Sequence, residues 1–503
     1  MYKTIKKIFD YETIENLHSK YYKKKERIRD NQITKNECLA HQLLYTNKTA
    51  TKEKVSRDIS YKNNKKHFRQ SFDEHLKKYN VNFYDHLHKD ILKQYTTYVN
   101  SNNLNKIINS NIKTIDIDLK QEIYDEYVNI LVDGSCDNNY ENHKLITTNT
   151  LYFYNLNDNV NIDNFICKKT NNNKNKETKS TKTKRKRKKY NDSNKNSEIS
   201  TFKKYIELNH KKLKLMYPNK KILFICDRAY HCHDLFDILE QYGFYYIIRL
   251  RDNNSFIKDN VKDKQILKIK KTTKVTKYTI PIEIEYYDNN KKQKLKVKYN
   301  EEYFLISNAL GLNDKDIENL YHARWTIEIF FKFNKKNTKL ALFKEKNKEE
   351  HKKNKICISI MNIIIKFLLH FYVTNIMIKK KSKKKENIIT QIKKLKFLNY
   401  SLFLQGVYEN ILIDLICGKL KKKQLIHFLN CYVSVFQNKE NRKFPRVSLL
   451  PFSKWYVKKY HKSYNWSKII NAIKTNTIDE LNKNLKSKAN KIKDKIIYDE
   501  TNT

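Results

Sequence analysis

Two short apolar runs in this chain each lead directly into an aspartate. The first, 128–132, is followed by Asp133 in "VNILVDGS", and the second, in "KILFICDRAY" (221–230), is followed by Asp227. Short apolar runs bounded by turn residues are typical of buried strands. The sequence therefore predicts two strands of a sheet, the first running into a turn at Asp-Gly-Ser. It also predicts that both carboxylates lie at the rim of that sheet.

Composition and periodicity divide the chain into three regions. We predict a basic, helical N-terminal region (1–120), an α/β domain (121–380) and a basic, helical C-terminal region (381–503). Inside the α/β domain, the Asn/Lys-rich stretch at 168–198 has the composition of a disordered loop. Alternating apolar residues within 251–307 predict a β-rich insertion.

The net charge of the chain indicates which class of partner it binds. Lys and Arg number 104 against 54 Asp and Glu, which gives a formal net charge of +50. Such an excess favours a polyanion, most simply nucleic acid, bound through its phosphates. The coding bias of an AT-rich genome is the competing explanation, because Asn, Lys, Ile and Tyr are abundant while Gly numbers 5 and Pro 4.

Cysteine usage and hydropathy indicate a soluble, intracellular protein. The eight cysteines are scattered without a CxxC pair, which is typical of reduced thiols. The N-terminus has no apolar stretch of the signal-peptide type. The apolar segment 356–378 carries Asn362, Lys366 and His370 at every fourth position. We therefore predict a core helix with a solvated edge rather than a membrane span.

A mixed stripe of side chains marks the segment "YHARWTIEIFFKFNKK" (321–336). Tyr321, Arg324, Glu328 and Lys335 follow one another at intervals of 3, 4 and 7 residues, so a helix would place all four on one face. A carboxylate beside two cations and a phenol is unusual for a core face, but it suits a metal-binding group flanked by phosphate contacts. The apolar residues predicted to pack around this stripe are Trp325, Ile327, Ile329 and Phe330.

Three carboxylates brought together would bind hard cations. Asp133, Asp227 and Glu328 could hold two Mg²⁺ ions about 3.5–4 Å apart, an arrangement that cleaves phosphodiesters. The alternative is that the aspartates cap turns and that Glu328 is a surface residue. Other candidates for the first ligand are Asp137, Asp116 and Asp118. A zinc site in "CDRAYHCHD" (Cys226, His231, Cys232, His233) is disfavoured because its intervals are too short for tetrahedral ligation.

The spacing Y-x2-R-x3-E-x6-K resembles the signature of the insertion-sequence-four superfamily of DDE transposases. "ICDRAY" resembles the second-aspartate motif of that family, and "VDGS" resembles the first. The intervals of 94 residues between the aspartates and 101 residues to the glutamate are also similar to the family pattern. The resemblance covers about 125–380, and "NRKFPRV" (441–447) resembles a family tail.

The resemblance implies an RNase H-like catalytic domain. It implies that Asp133, Asp227 and Glu328 bind two catalytic Mg²⁺ ions, for which Mn²⁺ can substitute. The reaction implied is metal-dependent strand cleavage at transposon ends, followed by transfer of a 3′-hydroxyl into target DNA. A transposon-derived DNA-binding protein without catalytic activity is the alternative.

The resemblance also suggests DNA contacts. It implies that Tyr321, Arg324 and Lys335 contact the transposon end, and Arg228 and Arg446 are further DNA-binding candidates because they lie in family-like motifs. The expected partner is double-stranded DNA, both transposon ends and target. A homodimer is expected when two ends are brought together. The expected location is the cytoplasm with nucleoid DNA, or the nucleus if the host is eukaryotic.

Overall fold

The computed structural model describes most of the first 433 residues. The described residues are 7, 9–21, 33–101, 120–141, 144–167, 192–250, 274–288, 293–343, 348–377 and 398–433. The chain divides into two compact units, the first comprising Met1–Thr276 and Leu305–Asn438 and the second Lys277–Phe304 and Lys439–Thr503.

Helices come first along the chain and a mixed sheet follows. The helices of eight residues or more are α1 (Tyr11–Tyr21), α2 (Lys35–Tyr45), α3 (Lys52–Asn63), α4 (Arg69–Leu76), α5 (Val81–Asn100), α7 (Asp192–Met216), α8 (His233–Gln241), α9 (Asp314–Ala323), α10 (Trp325–Asn337), α11 (Lys348–Tyr372) and α14 (Lys422–Tyr432). The shorter helices are α6 (Gln121–Glu126), α12 (Tyr400–Gly406) and α13 (Leu412–Ile416). The strands are β1 (Tyr127–Glu141), β2 (Lys144–Asn155), β3 (Val160–Ile166), β4 (Lys221–Cys226), β5 (Tyr245–Arg249), β6 (Lys274–Asp288), β7 (Gln293–Ser307) and β8 (Leu342–Phe343).

The sheet of the first unit is built around β1. On one side β1 pairs antiparallel with β2, which pairs antiparallel with β3. On the other side β1 pairs parallel with β4, which pairs parallel with β5. The last residues of β7, 305–307, pair antiparallel with β5, and β8 pairs parallel with β1 near its end. The first unit is therefore a mixed α/β structure, as predicted.

Aromatic side chains of β2 pack on helices on both faces of this sheet. Phe153 stacks on Tyr205 of α7 with ring centroids 3.7 Å apart, whereas the flanking Tyr152 contacts Phe331 of α10 with centroids 5.0 Å apart. Successive side chains of a strand point to opposite faces. Helix α7 therefore covers one face of β2 and α10 covers the other.

The prediction that the first strand ends at Asp133 is wrong. Strand β1 continues to Glu141, because β2 provides hydrogen-bonding partners along this whole stretch, from Asp133↔Tyr152 to Glu141↔Lys144. What ends here is the parallel pairing with β4, whose last matched pair is Val132↔Cys226. Asp133 therefore lies within a long strand, at the point where its parallel neighbour stops.

The segment 321–336 is not one helix. It breaks at Arg324, where hydrogen bonds of the i→i+3 type, Arg324 N to Tyr321 O and Ile327 N to Arg324 O, both 3.1 Å, replace the regular pattern. The packing prediction is confirmed for Ile327 and Phe330, which are buried. It is wrong for Trp325, which is 56% exposed because it lies at the break between α9 and α10.

The predicted core helix is α11, but its polar stripe is not a solvated edge. Lys366 and His370 are buried, and Asn362 donates a hydrogen bond to Asn334 of α10 at 3.0 Å. Among the described helices, the stretch Glu349–Asn375 is long and apolar enough to cross a membrane, and 83% of its apolar window is buried inside the protein. Core helices of soluble proteins pass the same test, so this is weak evidence for a membrane span.

Two predicted segments lie only partly within the described residues. Of the loop predicted at 168–198, residues 168–191 lie outside them, and the chain is helical from Asp192 onward. Of the insertion predicted at 251–307, residues 274–288 and 293–307 form β6 and β7. In the second unit, Tyr278 of β6 and Tyr303 of β7 stack with centroids 5.5 Å apart. The three-region division of the chain stays a prediction.

Candidate active site

The sheet brings Asp133 and Asp227 next to each other. They directly follow the paired residues Val132 and Cys226 on neighbouring parallel strands. Asp227 starts a short 3-10 turn, Arg228–Tyr230, and its Oδ1 accepts a hydrogen bond of 2.7 Å from Ala229 N. Parallel pairing thus joins two carboxylates that are 94 residues apart in the sequence.

Glu328 faces these aspartates across the guanidinium of Arg324. Nη2 of Arg324 donates to Glu328 Oε1 at 2.8 Å, and Nη1 lies 3.9 Å from Asp133 Oδ2. Arg324 keeps 12% of its side chain exposed, against 20% for Asp133 and 34% for Glu328. The same arginine therefore contacts carboxylates from the sheet and from α10 in a partly buried setting.

Burial and neighbouring negative charge raise the pKa of Asp133 and of Glu328. Burial and the nearby Asp227 raise the pKa of Asp133 to about 7, with Glu328 adding to the effect and Arg324 opposing it. Burial also raises the pKa of Glu328, again with Asp227 adding to the effect and Arg324 opposing it. Like charges held close together in a partly buried site produce such shifts. A divalent cation carries more positive charge than one guanidinium, so it would favour the ionised forms of Asp133 and Glu328 more strongly.

The side chains present fit a divalent cation chemically. Carboxylate oxygens are the preferred ligands of hard cations, and three that repel one another are stabilised by a shared ion. Within the residues that the structure describes, no three His, Cys, Asp or Glu side chains are arranged as ligands of one ion. The positive charge between Asp133 and Glu328 comes instead from Arg324.

The other members of the predicted stripe lie near this cluster. Burial raises the pKa of the Tyr321 phenol, and the nearby Arg324 and Arg249 oppose that shift. Lys335 Nζ donates to Cys136 O at 3.2 Å, three residues beyond Asp133 on β1. Arg228 is exposed on the turn after Asp227. Arg324 therefore lies between the carboxylates, Tyr321 lies beside Arg324 and Arg249, and Lys335 contacts β1 beyond Asp133.

Several candidates cannot be placed relative to this cluster. Arg446, Asp116 and Asp118 lie outside the described residues, and so does the side chain of Asp137, whose backbone pairs with Thr148. Among the residues considered for zinc, Cys226 is fully buried, and burial raises the pKa of its thiol.

Glu198 is a further acidic residue close to the cluster. It lies on α7, and its Oε2 accepts a hydrogen bond of 3.0 Å from Tyr230 Oη. Sequence reasoning missed it because it falls at the end of the stretch predicted to be a disordered loop. Neither its spacing nor its surroundings in the sequence distinguishes it from the other acidic residues of the chain.

One known protein family has a model that matches part of the chain. Residues 193–363 match the family model described as the transposase DDE domain. The match spans about a third of the chain and includes Asp227, Arg324 and Glu328, whereas Asp133 precedes it. This region is therefore similar to DDE transposases, in agreement with the coarser part of the resemblance seen in the sequence. None of the curated proteins matches the chain.

A solved transposase structure also matches the chain. It is described as the cryo-EM structure of the piggyBac transposase synaptic complex with hairpin DNA. The match covers 88% of this chain and 87% of that chain, with 10% sequence identity and a TM-score of 0.33. A TM-score at this level is too low to establish a shared fold.

Proposed function

We propose that this chain is a DNA transposase of the DDE type, of the insertion-sequence-four superfamily. The observation that carries the proposal is the pairing of Arg324 with both Asp133 and Glu328, beside Asp227, at the end of a parallel strand pair. The family match over 193–363 supports it independently. The Y-x2-R-x3-E-x6-K spacing is the basis for the superfamily assignment.

We further propose an RNase H-like fold for the catalytic domain. The sheet order β3-β2-β1-β4-β5, with three antiparallel strands followed by two strands parallel to the first, supports this assignment. In this sheet the aspartates directly follow the last matched residues of two adjacent parallel strands, at the carboxyl end of β4 and of the parallel-paired part of β1. Ligands of α/β proteins bind at that edge of the sheet.

Asp133, Asp227 and Glu328 are the proposed ligands of two divalent ions, Mg²⁺ with Mn²⁺ as a substitute. When bound, such ions activate the attacking hydroxyl and stabilise the leaving oxygen of an in-line displacement at phosphorus. The carboxyl of Asp133, with a pKa of about 7, must give up its proton before it can act as a ligand. Ion binding should therefore weaken as the pH falls below neutrality.

The cationic groups around the carboxylates would hold the DNA. A guanidinium offers two donors to a phosphate in a planar fork, so Arg324 suits a backbone contact once its carboxylate partners are neutralised. Lys335 and Tyr321 lie on either side of it along the chain, and Arg228 and Arg446 are weaker candidates. Positioning of this kind, with no covalent protein intermediate, accounts for a large share of catalysis in in-line displacement.

Cleavage of cognate DNA tests the proposed function. The purified chain should nick DNA that carries the terminal inverted repeats flanking its gene, in the presence of Mg²⁺ or Mn²⁺. It should then join the released 3′-hydroxyl to a target duplex. If the chain binds those ends but never cuts them, it is a transposon-derived DNA-binding protein. A homodimer on paired ends, and a location with chromosomal DNA, are further parts of the proposal.

We expect Lys335→Ala to weaken DNA binding. Removing one phosphate contact should lower affinity about equally for all sequences and reduce the slope of log K against log salt by about 1. Fluorescence anisotropy across a salt series measures both quantities. Lys336→Ala is the matched control because Lys336 is exposed and lies about 100° around the same helix. Equal slopes for the two variants would contradict a specific role for Lys335.

A further inference from the structure

The Glu198 carboxylate packs against the backbone of Gly134, the residue that follows Asp133. A Cβ atom built on Gly134 would lie 2.5–2.7 Å from the carboxylate atoms of Glu198. Real Cβ atoms essentially never come this close to another heavy atom. The absence of a side chain at Gly134 therefore leaves room for the Glu198 carboxylate, and no turn is involved, because β1 continues through Gly134.

Two donors hold the Glu198 carboxylate in place. Tyr230 Oη donates to Oε2 at 3.0 Å, and Asn149 Nδ2 donates to Oε1. Burial, together with the charge of Glu198, raises the pKa of the Tyr230 phenol, so its proton stays in the hydrogen bond. Hydrogen bonds to an ionised acceptor are roughly twice as strong as those between neutral groups.

One donor comes from the turn that follows Asp227, and the other comes from β2, the strand paired with the one that carries Asp133. Tyr230 ends the 3-10 turn that Asp227 starts, and Asn149 pairs with Cys136 of β1 across the β1–β2 ladder. Glu198 itself rests on Gly134, which directly follows Asp133. One carboxylate on α7 thus joins the backbone beyond Asp133 to the turn beyond Asp227.

Glu198 lies on the face of the sheet opposite to Glu328. Asp133 is paired with Tyr152, whose ring contacts Phe331 of α10, while Gly134 is paired with Leu151 on the face covered by α7. Directly paired strand residues point to the same face, and successive residues alternate. Glu198 therefore contacts the backbone of the site from the face of the sheet opposite to Glu328.

We propose that Glu198 is a positioning residue that fixes the spacing of Asp133 and Asp227 for divalent cations. The two aspartates repel each other, and a carboxylate that is bonded to the turn beyond Asp227 and to β2, and that packs on the backbone beyond Asp133, resists their separation. The inference rests on the proposed function, because it needs the aspartates to be metal ligands. Substitution of groups that orient metal ligands typically lowers metal affinity 10- to 100-fold.

The test compares metal binding by Glu198 variants. Calorimetric titration of the full chain with Mn²⁺ should show an affinity lower by about 10- to 100-fold in Glu198→Ala. Glu198→Gln keeps one acceptor oxygen and should fall between Glu198→Ala and the original chain. Tyr230→Phe removes one donor with little change in volume and should act in the same direction. Glu207→Ala, on the same helix but exposed, is the matched control.

Gly134→Ala displaces the Glu198 carboxylate without truncating it. The new Cβ should push this flexible side chain away from its two donors and weaken Mn²⁺ binding much as Glu198→Ala does. Combined with Glu198→Ala, the glycine substitution should add little, since the group that it clashes with is gone. Such non-additivity is expected of residues in direct contact.

The outcomes separate this inference from the proposed function. If Glu198→Ala lowers the thermal midpoint but leaves Mn²⁺ affinity unchanged, Glu198 merely packs against β1 and the inference fails. If Asp227→Asn also binds Mn²⁺ as tightly as the original chain, the aspartates are not ligands, and the proposed function fails with it. DNA affinity measured without metal should be equal in all Glu198 variants.

Discussion

Asp227→Asn is expected to slow DNA cleavage by about 1,000-fold or more while leaving DNA affinity nearly unchanged. The amide keeps the size of the side chain and an oxygen that can accept the 2.7 Å bond from Ala229 N. It loses the negative charge on which ion binding depends. Metal ions contribute several kcal/mol to such reactions, and each 1.36 kcal/mol is a factor of ten in rate.

Glu328→Gln should slow DNA cleavage by a similar factor, and two separate effects contribute to this loss. The substitution neutralises a proposed ligand and weakens the 2.8 Å bond that holds Arg324. Arg324 would then pair more closely with Asp133, which it already approaches to 3.9 Å, and would compete there with a cation. Both effects oppose ion binding at the same site.

Single-turnover cleavage of a labelled terminal repeat measures the cleavage rate of both variants. Fluorescence anisotropy measures their DNA affinity. Asp237→Asn is the matched control, because Asp237 is exposed on α8. Cleavage by Asp227→Asn or Glu328→Gln at the rate of this control would remove these carboxylates from the reaction. A loss of cleavage accompanied by an equal loss of DNA binding would point instead to disturbed folding.

Lys366→Met is expected to raise the stability of the chain near neutral pH by a few kcal/mol. Lys366 is 8% exposed in the core helix α11, with its ammonium 5.3 Å from the centroid of the Tyr400 ring and His370 one turn further on. Burial lowers its pKa from the ordinary 10.5 to about 7. Methionine has a similar length, carries no charge and fills irregular core spaces well.

The direction of the pH effect follows from that lowered pKa. Because the folded chain binds the proton less tightly than the unfolded chain, stability falls as the pH is lowered from about 10.5 to about 7 and then levels off. Each pH unit in that window costs up to about 1.4 kcal/mol. The advantage of Lys366→Met should therefore be largest at pH 6–7 and shrink toward pH 10.

Thermal midpoints recorded from pH 6 to pH 10 test this prediction. Lys352→Met, on the same helix but half-buried, is the matched control, for which we expect a smaller change. If Lys366→Met is no more stable than the original chain at pH 6, the ammonium is well accommodated in the core. The buried position would then impose no penalty on folding.

Local patterns in the sequence predicted strands and helices around the acidic residues, because a strand repeats every two residues and a helix every 3.6. They predict Asp133 and Asp227 on two strands of a sheet and Glu328 on a helix, and the register shows that the two strands are neighbours. The same patterns misjudged how far each element extends. They ended β1 at Asp133 and joined α9 to α10 across Arg324.

The sequence by itself determined which residue types could form a charged site and their order along the chain. Only the tertiary structure decided that Arg324 binds two of these carboxylates, that Gly134 makes room for Glu198, and that Lys366 is buried rather than solvated. The physical reason is the distance along the chain. Periodicity reports on neighbours within a few residues, whereas Glu198 meets Gly134 across 64 residues and Arg324 meets Asp133 across 191.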